Sequence, residues 1–142
     1  MFKKSFLKSI AEKETVSLKF LEKQLDNARA VIPLNKNRKI PNPCVIGDGF
    51  KVKINTNLGL SSKGGSIEGE IKKMLIAAQY GADTVMDLSV SKNLATLRKQ
   101  ILKKCPIPLG TVPIYEAALE LEKRKSGFEK LTFDDYFSVL ES

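Results

Sequence analysis

The stretch GADTVMDLSVSKN, residues 81–93, decides the fold. Gly81 closes one helical pattern, DTVMDL (83–88) reads as a short strand, and helical spacing restarts at Asn93 with Leu94, Leu97 and Ile101 on one face. Helix, strand and helix in so few residues is the grammar of a parallel sheet, because parallel neighbours need a crossover between them. Met86 and Asp87 stand where this strand ends, and strand ends of that kind are where barrel enzymes carry their chemistry.

Working towards the N-terminus, KVKINTN (51–57) alternates apolar and polar residues, as a strand with one covered face does. LGLSSKGG (58–65) makes a turn, Ser66 is an N-cap, Glu68 and Glu70 suit a positive helix N-terminus, and Ile67, Ile71, Met74, Leu75 and Ala78 repeat at helical spacing. Towards the C-terminus, PIPLGTV (106–112) supplies a third strand and Ile114, Ala117, Ala118 and Leu121 a third helix. Thr132 with Asp135 three residues later resembles a capping box that opens a fourth.

Ahead of this regular part, residues 5–29 carry Phe6, Leu7, Ile10, Leu18, Leu21 and Leu25 at spacings that suit one or two short helices broken near ETVS (14–17). VIPLNKNRKIPNPCVIGDGF (31–50) is interrupted by Pro33, Pro41, Pro43, Gly47 and Gly49 and reads as an irregular connection. The expected fold is therefore α/β: a helical and irregular lead-in over 1–50, then three βα units with parallel strands over 51–142. A complete (β/α)8 barrel takes about 250 residues. Three units make either a small open sheet or the first part of an incomplete barrel.

Composition narrows the function classes. With 42% hydrophobic and 28% charged residues over 142 positions, the chain has the make-up of a folded globular domain. No apolar run approaches the roughly 20 residues of a membrane span, and MFKKSFLKSIAEKE (1–14) turns charged before a signal-peptide core develops, so a cytoplasmic protein with no membrane partner is expected. Cys44 and Cys105 lie far apart without a CxxC spacing, and there is no histidine, so the chain is not expected to hold a zinc or iron–sulfur site, and the thiols are expected free and buried. The net charge of +8 comes from lysines scattered among glutamates, without the interleaved aromatic residues of a base-stacking platform; no nucleic-acid partner is expected.

Asn57, Met86 and Tyr115 recur at intervals of 29 residues, each at or just past a strand end. Equivalent positions in successive βα units face the same rim. An amide, a polarisable thioether and a phenol there suit a flat polar heterocycle, although a strand methionine also serves as core and a helix-start tyrosine as a packed ring with a wet hydroxyl. Asp87 reads either as a functional acid or as the cap of the following turn, and Asn55 as a structural partner of its own strand's turn. SSKGGS (61–66) has the composition of an anion-binding helix entry but matches neither GxGxxG nor the P-loop. With no histidine to activate Ser or Cys, no nucleophile–base pair is recognisable; Lys103 and Lys104 beside Cys105 read either as cations that depress a thiol pKa or, in preference, as a helix end.

INTNLG (54–59), GADTVMDLS (81–89) and PIPLGTVPIY (106–115) resemble the motifs of the ThiC family, the phosphomethylpyrimidine synthases of thiamine biosynthesis. AEKETVSLKFLEKQLDNARAVIPLN (11–35), IGDGFKVKINTN (46–57) and LTFDDYFSVLE (131–141) extend the similarity along nearly the whole chain. The resemblance implies radical S-adenosylmethionine chemistry on a (β/α)8 barrel, a lyase converting 5-aminoimidazole ribotide to 4-amino-5-hydroxymethyl-2-methylpyrimidine phosphate, with formate and carbon monoxide as co-products and a homodimeric assembly. It places the family's substrate contacts in this region on Asn57, Met86 and Tyr115. It also implies a 4Fe-4S cluster, S-adenosylmethionine and a divalent metal, whose cysteine and histidine ligands are not in this sequence. SVSKN (89–93) and SKGGS (62–66) depart from the family pattern. The expectation is an N-terminal portion of such an enzyme, truncated and inactive alone. The alternatives are a non-catalytic remnant or ribotide-binding module, or a piece of the related hydroxybenzimidazole-forming branch, from which the wording of the second and third motifs leans away.

Overall fold

A computed structural model describes residues 2–35, 37–61, 64–91 and 94–141. Two helices open the chain, α1 (Lys4–Glu14) and α2 (Leu18–Asp26), parted where Thr15 takes a left-handed conformation at φ 60°. Ser17 caps α2 by accepting from the Phe20 amide at 3.1 Å. The break falls within ETVS, as the periodicity requires. The segment expected to be irregular contains one regular feature, a hairpin-like pair of two-residue strands, β1 (Ala30–Val31) and β2 (Ile46–Gly47), with Ala30 opposite Gly47. Strands so short have no periodicity to betray them. A Cβ on Gly47 would sit 2.4 Å from the Arg29 carbonyl oxygen, so the close approach requires glycine. Leu7, Ile10, Ala11, Leu21, Ala30, Ile32 and Val45 form the core of this lead-in.

The rest is a parallel three-stranded sheet in the order β3 (Asn55–Leu58), β4 (Thr84–Asp87), β5 (Leu109–Thr111). Helix α3 (Ile67–Gln79) crosses from β3 to β4, and α4 (Leu94–Lys104) from β4 to β5. Then come α5 (Pro113–Lys123), a short 3-10 turn (Phe128–Lys130) and α6 (Phe133–Glu141). The caps follow the sequence reading: Ser66 accepts from Gly69 N at 3.0 Å, and Gly81 adopts φ 94° just beyond α3. Thr132 and Asp135 bond reciprocally, with Asp135 N donating to Thr132 Oγ1 at 3.2 Å and Thr132 N to Asp135 Oδ2 at 3.1 Å. The Thr132 hydroxyl, and then its amide, hold the Asp135 carboxyl below its ordinary pKa.

Helices α3 and α4 cover one face of the sheet. Leu58, Val85, Ile71, Met74, Leu97, Ile101 and Ile107 pack there, and each fully buried aliphatic side chain in such a core contributes about 1.5–3 kcal/mol. Three expectations need correction. The strand expected over 51–57 pairs only from Asn55, because β4 begins at Thr84 opposite it; Val52 is consequently 93% exposed. The strand expected over 106–112 is confined to Leu109–Thr111, since Pro106 and Pro108 have no N–H to give a ladder. Leu75, expected inward, is exposed, because Ile71 and Met74 already fill the inner side of α3. The helix start at Asn93 and the centre of SSKGGS, residues 62 and 63, lie outside the described residues.

Polar contacts bind the lead-in to the sheet unit. Glu14, buried at the end of α1, accepts from the Lys51 amide at 2.9 Å and pairs with Lys53 Nζ at 3.0 Å. Arg38 donates from Nη1 to the carbonyls of Leu102 and Cys105, both at 2.8 Å, and from Nη2 to Ile107 O at 3.3 Å. A guanidinium thus caps the negative end of α4.

Candidate functional site

Side chains alternate across a strand, and the ladder register places them. Asn57 pairs with Met86, and Met86 with Gly110. Register partners in a parallel sheet share a face, so Asn57, Met86 and Gly110 stand in a row, with Asn55 and Thr84 as the neighbouring pair on the same face. This is the face opposite the helix-packed core: Asn55 and Asn57 are exposed and Met86 is half-buried. A Cβ built on Gly110 would meet both Sδ and Cε of Met86 at 3.1 Å, so the thioether lies across β5 in the space the glycine leaves. The structure brings Asn57 and Met86 together.

Tyr115 comes from a different element. Strand β5 ends at Thr111, and α5 begins two residues later with Pro113 at its first position, where the missing N–H costs nothing. Tyr115 therefore lies in the first turn of α5, on the C-terminal rim of the sheet, and is 40% exposed. It shares the rim with Asn57 and Met86.

A chain of hydrogen bonds runs along the open face. Thr84 Oγ1 donates to Asn55 Oδ1 at 2.9 Å, and Asn55 Nδ2 donates to Asn57 Oδ1 at 2.9 Å. The expectation that Asn55 serves its own strand's turn is corrected here, because its side chain bridges to β4. That role is legible only from the register that sets it beside Thr84.

Asp87 belongs to the other face. It is 2% exposed and accepts from Ser89 N at 3.0 Å and Ser89 Oγ at 2.5 Å, while Ser89 Oγ accepts from the Leu60 amide at 3.0 Å. Of the two readings of Asp87, the cap of the turn after β4 is the one the geometry supports. Its other oxygen faces Arg98 Nε of α4 at 3.8 Å, and Arg98 Nη1 pairs with Glu116 in the first turn of α5. The residues after Met86 and Tyr115 are thus joined through one guanidinium.

The cysteines do not approach a ligand set. Cys44 and Cys105 are both buried and free. Burial, and then the Asp83 carboxylate, push the Cys44 thiol above its ordinary pKa. Cys105 Sγ donates to Ile107 O at 3.2 Å. Among the described residues no three His, Cys, Asp or Glu side chains are grouped to hold a metal ion, and no helix is long and apolar enough to cross a membrane.

The sequence profile of the Radical SAM ThiC family matches residues 3–142. The phosphomethylpyrimidine synthase of a Dehalococcoides mccartyi strain is 41% identical over 136 residues, covering 96% of this chain and 32% of the relative. That of a Thermus thermophilus strain is 46% identical over 133 residues, covering 93% and 30%. The chain thus spans about a third of the length of the curated relatives it matches. A profile match over almost the whole sequence, together with identity at this level, means that the chain belongs to the Radical SAM ThiC family.

Proposed function

We propose that this chain supplies one side of the substrate pocket of a phosphomethylpyrimidine synthase in thiamine biosynthesis, the enzyme that converts 5-aminoimidazole ribotide to 4-amino-5-hydroxymethyl-2-methylpyrimidine phosphate. Its three parallel βα units are the opening part of a (β/α)8 barrel, whose interior is the face bearing Asn57 and Met86. The observation that carries this reading is the pairing of Asn57 with Met86 on the sheet's open face, beneath a helix start that brings Tyr115 to the same rim. In it, the Asn57 amide hydrogen-bonds the ribotide, the Met86 thioether packs against the flat imidazole, and the Tyr115 hydroxyl holds a polar edge. These residues bind and orient.

The family name points to S-adenosylmethionine and an iron–sulfur cluster, and the residues present do not fit the cluster. Cluster ligands are thiolates, whereas Cys44 is buried with its thiol favoured over its thiolate, and the Cys105 thiol is engaged by a backbone carbonyl. No step of the reaction is therefore assigned to this chain's cysteines. A divalent metal likewise finds no grouped ligands among the described residues.

The test is calorimetric titration of the folded chain with 5-aminoimidazole ribotide. Saturable binding is expected, weakened about tenfold by Asn57→Ala and several-fold by Tyr115→Phe, the range for loss of one hydrogen bond in a site. Absence of binding to a chain whose circular dichroism reports a folded state overturns the reading.

A further inference from the structure

We infer that Asn55 and Thr84 are positioning residues that set the polarity of Asn57, so that Asn57 presents its Nδ2 donor, and not its carbonyl, to the ligand. The inference rests on the pocket reading above and deepens it. An amide side chain offers an acceptor at one corner and two donors at the other, and which corner faces a ligand decides what that ligand's opposing atom must be. Here the Asn57 oxygen accepts from Asn55 Nδ2 at 2.9 Å, and the Asn55 oxygen accepts from the Thr84 hydroxyl at 2.9 Å. Each oxygen is engaged in turn, which leaves Asn57 Nδ2 as the end of the chain. The ligand atom it meets is then a hydrogen-bond acceptor, such as a ring nitrogen, a ribose oxygen or a phosphate oxygen.

All three residues sit on one face by register, Asn55 opposite Thr84 and Asn57 one pleat further along opposite Met86. The Thr84 hydroxyl is anchored on the central strand, which is paired on both sides. A relay that starts there is steadier than one that starts on the edge strand β3. It also makes Asn55 selective: an acid at this position accepts but cannot donate, and would turn the Asn57 amide over.

A threonine hydroxyl can donate or accept; here it donates to Asn55 Oδ1, and the experiment tests that direction. Side-chain amide resonances of Asn55 and Asn57 are recorded by NMR in the unliganded chain, with Asn55→Asp, Thr84→Val and Thr84→Ser. In the wild type, the Asn55 Nδ2 pair is expected to show the hydrogen-bonded signature, downfield shift and slowed exchange, while the Asn57 pair behaves as exposed. In Asn55→Asp that signature moves to Asn57 Nδ2. Thr84→Val loses the Asn55 signature and weakens 5-aminoimidazole ribotide several-fold, and Thr84→Ser restores both, because only the hydroxyl is needed. A hydrogen-bonded Asn57 Nδ2 in the wild type means that the relay runs the other way, and equal signatures in Thr84→Val and Thr84→Ser mean that Thr84 takes no part; either overturns the inference. If the ribotide fails to bind the wild type, the pocket reading falls, while the ligand-free spectra still decide the relay.

Discussion

Met86 and Asp87 are adjacent in sequence and do unrelated work. The alternation of the strand sends Met86 to the open face and Asp87 into the packed one, where Ser89 and Arg98 engage it. The thioether of Met86 in turn depends on Gly110. Replacing Gly110 by alanine puts a Cβ 3.1 Å from Met86 Sδ and Cε, and the flexible end of the methionine gives way before the backbone does. Gly110→Ala is expected to cost less than about 1.5 kcal/mol in a denaturant titration while shifting the Met86 methyl resonance and reducing ribotide affinity. An unmoved methyl resonance would show that the thioether does not lie over β5.

At the scale of elements, the contacts that matter are those between units. The sheet unit and the lead-in each have a core of their own, and Glu14 and Arg38 join them. Arg38 reaches from the irregular segment to the carbonyls of Leu102 and Cys105 at the end of α4 and of Ile107 in the segment that follows. Hydrogen bonds from a charged donor to helix-end carbonyls are worth more than neutral ones. Arg38→Met is expected to lower stability by about 2 kcal/mol and to speed amide exchange in the last turn of α4 ahead of α3. Uniform acceleration through the whole chain would assign Arg38 a global role in place of a local cap.

At the scale of the whole molecule, the unbalanced feature is apolar surface without a partner. Helix α6 presents Phe133, Phe137 and Leu140, which are 82%, 53% and 51% exposed and lie at helical spacing along one side. Strands β3 and β5 are the two edges of the sheet, and their unpaired backbone is open to further pairing. Surfaces of this kind drive association. Sedimentation velocity at tens of micromolar is expected to resolve species larger than a monomer, and Phe133→Ser with Phe137→Ser to shift the distribution towards monomer. A sharp monomer peak across the concentration range would contradict this.

Much of the architecture was legible in the chain itself. The period of the apolar residues pointed to one or two opening helices broken near ETVS and to the βαβαβ core, and Ser66, Gly81 and the Thr132–Asp135 pair marked helix ends through local chemistry that needs no distant partner. The 29-residue spacing set Asn57, Met86 and Tyr115 at equivalent positions of successive βα units, which return to one rim, and left open whether the methionine and tyrosine there bind a ligand or pack. What lay beyond the sequence were the facts of register. Only the pairing of Asn55 with Thr84 limits β3 to four residues, sets Asn57 beside Met86 and aligns Asn55 with the Thr84 hydroxyl. Register is set by which strand lies alongside, and the residues of one strand carry no record of their neighbours.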